Sequence, residues 1–171
     1  FMTIHTRSLC TLGFLFLSLC AFSGCFKNES EVENLLVPRL MIESRSVNYG
    51  SVNGTTLRLP VSGSVIAVDK DPIVNEFDIF DVDMVKVDMG IALLIELSDS
   101  GARELYRRSV TNKGSRIVFV VNGNALGARR LDSAIEDGKL FTFVEVKDDA
   151  IGQLVLDLKA SIAEIQTQYQ Y

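Results

Sequence analysis

Residues 91–123 read IALLIELSDSGARELYRRSVTNKGSRIVFVVNG, and this stretch decides the fold. Both ends are strand-like. Ile91 to Leu97 is an aliphatic run interrupted only by Glu96, and Ile117 to Val121 is a charge-free β-branched and aromatic run suited to a central sheet position. Between them, Ser98 or Asp99 supplies a short oxygen-bearing side chain that accepts a bond from the free amides of a helix's first turn. The helix that follows puts Ala102, Leu105, Tyr106 and Ser109 on one face, with Arg103, Glu104, Arg107 and Arg108 largely on the others. Asn112 and Gly114 end it. Asn122-Gly123 is the dipeptide favoured in two-residue hairpin turns, whose central positions need positive φ.

Upstream, Phe77 to Met89 alternates Asp81, Asp83, Lys86 and Asp88 with Val82, Met84, Val85 and Val87, the mostly period-2 pattern of a half-buried strand, and Gly90 breaks it. From Pro38 to Asp69 short β segments (Leu40 to Glu43, Thr56 to Val61, Ser64 to Val68) are separated by turn residues at Asn48-Tyr49-Gly50, Asn53-Gly54 and Ser62-Gly63. Downstream, a weakly patterned stretch holds Arg129, Arg130 and Ser133, a turn falls at Asp137-Gly138, and Leu140 to Val146 reads as a strand. Asp148 or Asp149 opens a last helix in which Ile151, Leu154, Val155, Leu158, Ile162 and Ile165 form one apolar stripe, and Gln166 to Tyr171 is a tail expected to fray. The class is α+β: one domain over residues 38–171, with a mixed, mainly antiparallel sheet and two helices packed on one face.

The start of the chain has a different grammar. A short cationic stretch (Met2 to Arg7), an apolar stretch (Leu9 to Leu19) and small residues before Cys25 form a three-part export signal, too short to span a bilayer. Phe22-Ser23-Gly24-Cys25 resembles the lipobox of bacterial lipoproteins. That resemblance implies a signal peptide over residues 1–24 and a diacylglycerol thioether on the Cys25 sulfur, leaving a membrane-anchored protein. Cys10 and Cys20 lie within the signal, so Cys25 is the one thiol remaining after cleavage, and an unpaired exported thiol otherwise lacks a role. Residues 25–37 read as an acidic tether carrying Glu29, Glu31 and Glu33. Phe26 is not the aspartate associated with inner-membrane retention, which favours the outer membrane with the domain facing the periplasm.

Charge argues against nucleic acid. Residues 1–24 hold Arg7 and no acid, so without them 16 basic side chains face 22 acidic ones, a net of −6, and the dense basic spots are limited to Arg103, Arg107 and Arg108 and to Arg129 and Arg130. Asp69, Asp71, Glu76, Asp78, Asp81, Asp83 and Asp88 are numerous enough to suggest calcium, but their spacing does not match a calcium loop, and a solvated strand face is the preferred reading. Asp69-Lys70-Asp71 is the best ligand cluster should a metal bind, although neither metal nor cofactor is expected. Ser98, Ser100, Ser109 and Ser133 lack a histidine base, since the single histidine, His5, leaves with the signal; a serine–lysine pair with Lys113 remains the formal alternative. Gly123, Gly127 and Gly138 do not have phosphate-loop spacing. Arg129 and Arg130 are expected to be solvated.

The order strand, Ser98-Asp99-Ser100-Gly101-Ala102 helix, strand, Asn-Gly turn, Asp-Gly turn, strand, helix resembles the soluble head of the first periplasmic domain of SecD, a subunit of the bacterial protein-export machinery. Thr111 and Gly114 at the helix end, Ile117 to Gly123, Ile135-Glu136-Asp137-Gly138, Asp71-Pro72-Ile73-Val74 and Phe77-Asp78-Ile79 carry the likeness, which covers about half of the chain after Cys25. Asn122 replaces the family's acidic turn residue, and Leu126-Gly127-Ala128 stands where it usually has a proline. No segment after Cys25 has the length of a transmembrane helix. The resemblance therefore implies the part that meets the exported polypeptide, not the proton-coupled motor. The expected function is a non-catalytic lipoprotein domain binding a polypeptide or protein partner; an envelope enzyme working through carboxylates and a structural subunit of a membrane complex are the alternatives.

Overall fold

The computed structural model describes residues 35–44 and 54–168. The signal over 1–24, the lipobox residues Phe22, Ser23 and Gly24, Cys25, the tether up to Asn34 and the turn at Asn48-Tyr49-Gly50 lie outside the described residues. The described strands and helices run β1 (Pro38–Ile42), β2 (Gly54–Arg58), β3 (Val65–Asp69), β4 (Ile79–Val87), β5 (Gly90–Leu97), α1 (Asp99–Thr111), β6 (Arg116–Val121), β7 (Asn124–Arg130), β8 (Lys139–Thr142) and α2 (Asp148–Gln168). The α+β class with two helices is as expected. The strands divide among three antiparallel sheets: sheet A in the order β1-β6-β7, sheet B made of β2-β3, and sheet C in the order β4-β5-β8.

Sheet A is buried on both faces. Leu40, Ile42, Ile117, Phe119 and Val121 enter the main core, while Met41, Val118, Val120 and Ala125 enter a second core closed by Leu59, Ile66 and Val68 from sheet B and the turn beside it. That two-sided burial is why β6 lacks alternation and reads as a continuous apolar run. The hairpin to β7 turns at Asn122 (φ 49°) and Gly123 (φ 80°), the positive angles the dipeptide predicts. Asn122 also holds the entering chain: its amide N–H donates to Val37 O at 3.1 Å, its Oδ1 accepts from Val37 N at 2.8 Å and its Nδ2 donates to Leu35 O at 3.1 Å.

Several boundaries differ from the sequence pattern. The stretch with Arg129 and Arg130 is strand β7, whose inward positions are the small Ala125 and Gly127 and so give no apolar signal. Gly127 lets β7 come close to the chain after β8, bridging Val144, and Glu145 N donates to Leu126 O at 2.6 Å. The strand expected over Leu140 to Val146 therefore ends at Thr142 and resumes as a single bridge. β2 ends at Arg58, because Glu145 Oε2 accepts from Val61 N and Ser62 N at 2.8 Å each and draws that segment into a turn. Tyr106 is exposed, the buried face of α1 being Gly101, Leu105 and Ser109. The helix α2 continues through Gln168, so Gln166 is helical where fraying was expected, and its side chain reaches back to β4.

Candidate functional site

Sheet C positions the candidate site. Its register places Val82, Ile95 and Leu140 in one row and Met84, Leu93 and Thr142 in the next, on the same face. That face meets the helices: Leu105 of α1 and Ile151, Val155, Leu158 and Ile162 of α2 share the main core with Val82, Leu93, Ile95 and Leu140. The opposite face carries the rows Asp81–Glu96–Lys139, Asp83–Leu94–Phe141 and Val85–Ala92. Of these three rows only Ala92 is buried, the others being half-buried or exposed, and from the helices Lys159 of α2 reaches this face, at Asp81 and Asp83. Phe141 is 39% exposed there, with Phe143 exposed two residues on.

The edges of the sheets are managed differently. The outer edge of β1 is backed by bridges from Leu40 to Val74 and from Glu43 to Val68, and that of β7 by the bridge from Gly127 to Val144. No described strand lies along the outer edge of β4. Along it Phe80 is 62% and Met84 48% exposed, and Met89 in the β4–β5 turn is 82% exposed. The register shift between Ile79 and Asp81 is the irregularity that turns Phe80 outward.

The acidic residues upstream are mostly paired. Glu76 accepts from Arg39 Nε at 2.7 Å and Nη2 at 2.9 Å, and this hydrogen bond holds its carboxyl below the usual range. Asp78 accepts from the Ser98 hydroxyl at 2.9 Å, while Ser98 Oγ caps α1 by accepting from Gly101 N at 3.2 Å. Lys159 Nζ lies 2.9 and 2.8 Å from the Asp81 oxygens and 2.9 Å from Asp83 Oδ1, and the hydrogen bond to Asp81, followed by that to Asp83, raises its pKa. Sequence reasoning missed Lys159. Its partners are 78 and 76 positions away, and no local pattern joins them.

Asp69, Lys70 and Asp71 line a cleft of about 350 Å³ with Ile73 and Arg108. Among the described residues no group of three or more His, Cys, Asp or Glu side chains is placed to hold a metal ion. Ser98 is a helix cap, and Ser109 Oγ accepts from Ile135 N at 2.9 Å while donating to Tyr106 O at 2.8 Å, so both serve backbone structure. Arg129 Nη1 donates to Phe141 O at 3.0 Å, and Arg130 stands 3.6 Å from Asp132 at the surface. No described helix is long and apolar enough to cross a membrane.

The chain aligns with a crystal structure of SecDF in its super-membrane-facing form over 75% of its length, with a TM-score of 0.57 and 16% identity, covering 19% of that chain. A second SecDF structure, of the membrane component that enhances protein export, aligns over the same 75% with a TM-score of 0.56 and 16% identity, covering 64% of that chain. The fold is SecD-like. This SecD-like chain spans about a fifth and under two thirds of the two proteins it superposes on. No protein-family model matches it, and no curated protein matches it in sequence.

Proposed function

We propose that the chain is a non-catalytic envelope protein of the protein-export process, anchored to a membrane through lipid on Cys25 and using its SecD-like domain to bind polypeptide. The observation that carries the binding role is the condition of sheet C. Its outer face and its β4 edge present Phe141, Phe80, Met84 and Met89 to solvent, on the fold that SecDF, a component described as enhancing protein export, also uses. Main-chain groups along an edge with no strand paired to it supply affinity for extended chains without demanding one sequence. Binding in the micromolar range or weaker suits a client that must be released. The lipobox Phe22-Ser23-Gly24 and the tether to residue 37 supply the membrane attachment, with the outer membrane and a periplasm-facing domain as the favoured arrangement.

Two measurements test this. The full chain is titrated with a reduced, carboxymethylated unfolded protein and with the same protein folded, and saturable binding of the unfolded form alone is the expected result. Cys25→Ser should abolish fatty-acid labelling in cells and leave precursor or a soluble form; labelling that persists in the variant removes the anchor. Carboxylate-dependent turnover of an ester, peptide, glycan or phosphate ester would replace the binding role with an enzyme.

A further inference from the structure

Asp81 and Asp83 belong to the outer face of sheet C, sharing it with Glu96, Lys139, Leu94 and Phe141, whereas α2 buries its apolar stripe against the opposite face. Lys159 therefore reaches its two carboxylates by crossing the outer edge of β4. Gln166, two turns further along the helix, donates to Ile79 O at 3.3 Å and to Phe80 O at 3.4 Å. Together the two side chains occupy ground where the backbone of a neighbouring strand would run. Lysine is a common means of keeping an edge from pairing.

These contacts also set the direction of α2, antiparallel to β4. Met84, beside Asp83 in β4 and on the other face, is exposed. The result is a short site with a carboxylate pair on one face of the edge and the exposed Met84 on the other, covered between Asp81 and Asp83, among the described residues, by a surface ion pair. An ion pair this exposed is held weakly.

The geometry points to the outer edge of β4 as the docking site for an extended polypeptide in which basic residues alternate with apolar ones, with Lys159 as a place-holder that the incoming basic side chain displaces from Asp81 and Asp83. This inference rests on the polypeptide-binding reading above. Residues of an added strand alternate between faces. Those level with Asp81 and Asp83 on the outer face meet the carboxylates, and those between them fall beside Val82 and Met84, so the pairing rule across strands asks for a Lys or Arg flanked by apolar neighbours. The chain's net charge of −5 favours approach of such a segment.

The test uses the full chain and synthetic peptides of about ten residues, the length of a long strand, alternating valine with lysine or valine with glutamate. The valine–lysine peptide should bind more tightly than its glutamate counterpart and should slow amide exchange along Val82 to Val87. Lys159→Ala should tighten its binding about two- to fivefold, the range expected for releasing a surface ion pair, and Asp83→Asn should weaken it by a similar factor. Circular dichroism confirms that both variants are folded. If Lys159→Ala leaves affinity unchanged or lowers it, or if β4 amides gain no protection while peptide still binds, the docking edge is wrong and the polypeptide-binding reading stands. If Lys159→Ala self-associates without binding peptide more tightly, the edge takes a second copy of this chain and the proposal falls. If neither peptide nor the carboxymethylated unfolded protein binds the wild-type chain or Lys159→Ala, both readings fall together.

Discussion

Gly127→Ala places one methyl group at the junction of sheets A and C, and its cost follows from the geometry there. A Cβ on residue 127 would stand 3.1 Å from Phe143 C, 3.2 Å from Val144 Cα, and closer still to Phe143 O. All three atoms are backbone, so no side chain can swing away, and β7 has to separate from the segment after β8. Overpacking of this kind costs about 1–3 kcal/mol. The separation also stretches the 2.6 Å hydrogen bond from Glu145 N to Leu126 O, at about 0.5–1.5 kcal/mol. Reduced freedom of the unfolded chain returns about 0.4–1 kcal/mol, leaving a net loss of about 0.5–4 kcal/mol. For a domain of this size that lowers the melting midpoint by about 2–16 °C. Urea unfolding followed by circular dichroism measures it, with the slope m unchanged because the surface exposed on unfolding stays the same. A midpoint equal to wild type would show that β7 and the chain at Phe143 are not in close approach, and would remove the join between the two sheets.

Two further predictions concern the turn and the response to acid. Gly123→Val should destabilise by about 1 kcal/mol or more, because φ is +80° there; with nothing within 4 Å of an added Cβ, the loss is conformational and an unchanged melting midpoint would refute it. Stability should fall as pH drops below about 4.3, the ordinary glutamate value, and stay level from about 5 to 8. Glu43 and Glu76 are lowered by hydrogen bonds from Arg116 and Arg39, and in Glu104 and Glu145 the upward push of partial burial is outweighed by bonds from Arg108 and Arg107 and from Ser62 and Val61. A folded-state pKa below the unfolded one means that the unfolded chain binds more protons in that window, so stability is lost as pH falls through the folded values. A urea midpoint that rises on acidification from pH 5 to 3 would contradict the sign.

What the sequence reveals and what it hides divide along the range of the interactions. Ile117 to Val121 announces a strand buried on both faces because its neighbours in sequence are all apolar, and Asn122-Gly123 announces its turn because φ is a local property. Ser98 as a cap is legible for the same reason. The α2 stripe is legible except at Ser161, buried among apolar residues with its hydroxyl donating to Asp157 O and accepting from Leu36 N; a hydroxyl with both needs met can sit in a core, but its partner is 125 positions away. β7 is hidden because its inward residues are Ala125 and Gly127, chosen for closeness of backbones and not for apolar bulk. The division of the eight described strands among three sheets is hidden altogether, since register between distant segments leaves no trace in period. The acids of β4 read as a solvated face because Lys159, which holds two of them, belongs to a helix most of a domain away in sequence. Cys25 and its lipobox are legible as a motif, although that part of the chain lies outside the described residues.

The layering bears on where a partner can act. Sheet A has core on both sides, and its edges are bridged at Val74, Val68 and Val144, so a ligand could reach it only by opening one of two packed interiors. Opening either would expose β6, five of whose six residues are buried, at a cost comparable to unfolding the domain. Sheet B serves as the lid of the second core and carries the Glu145 contact that fixes its turn. Sheet B is also singly buried, with Val65 and Ala67 exposed on its outer face, whereas sheet C commits one face to the helices and leaves its other face, apart from the buried Ala92, and one edge to be engaged without opening either core. The contacts there are those of side chains such as Lys159, exposed and weak, with Val82, Ile95 and Leu140 buried beneath. A doubly buried sheet that keeps the fold thus stands beside a singly buried one, and the polypeptide-binding proposal assigns the partner to the second because engagement there leaves both cores closed.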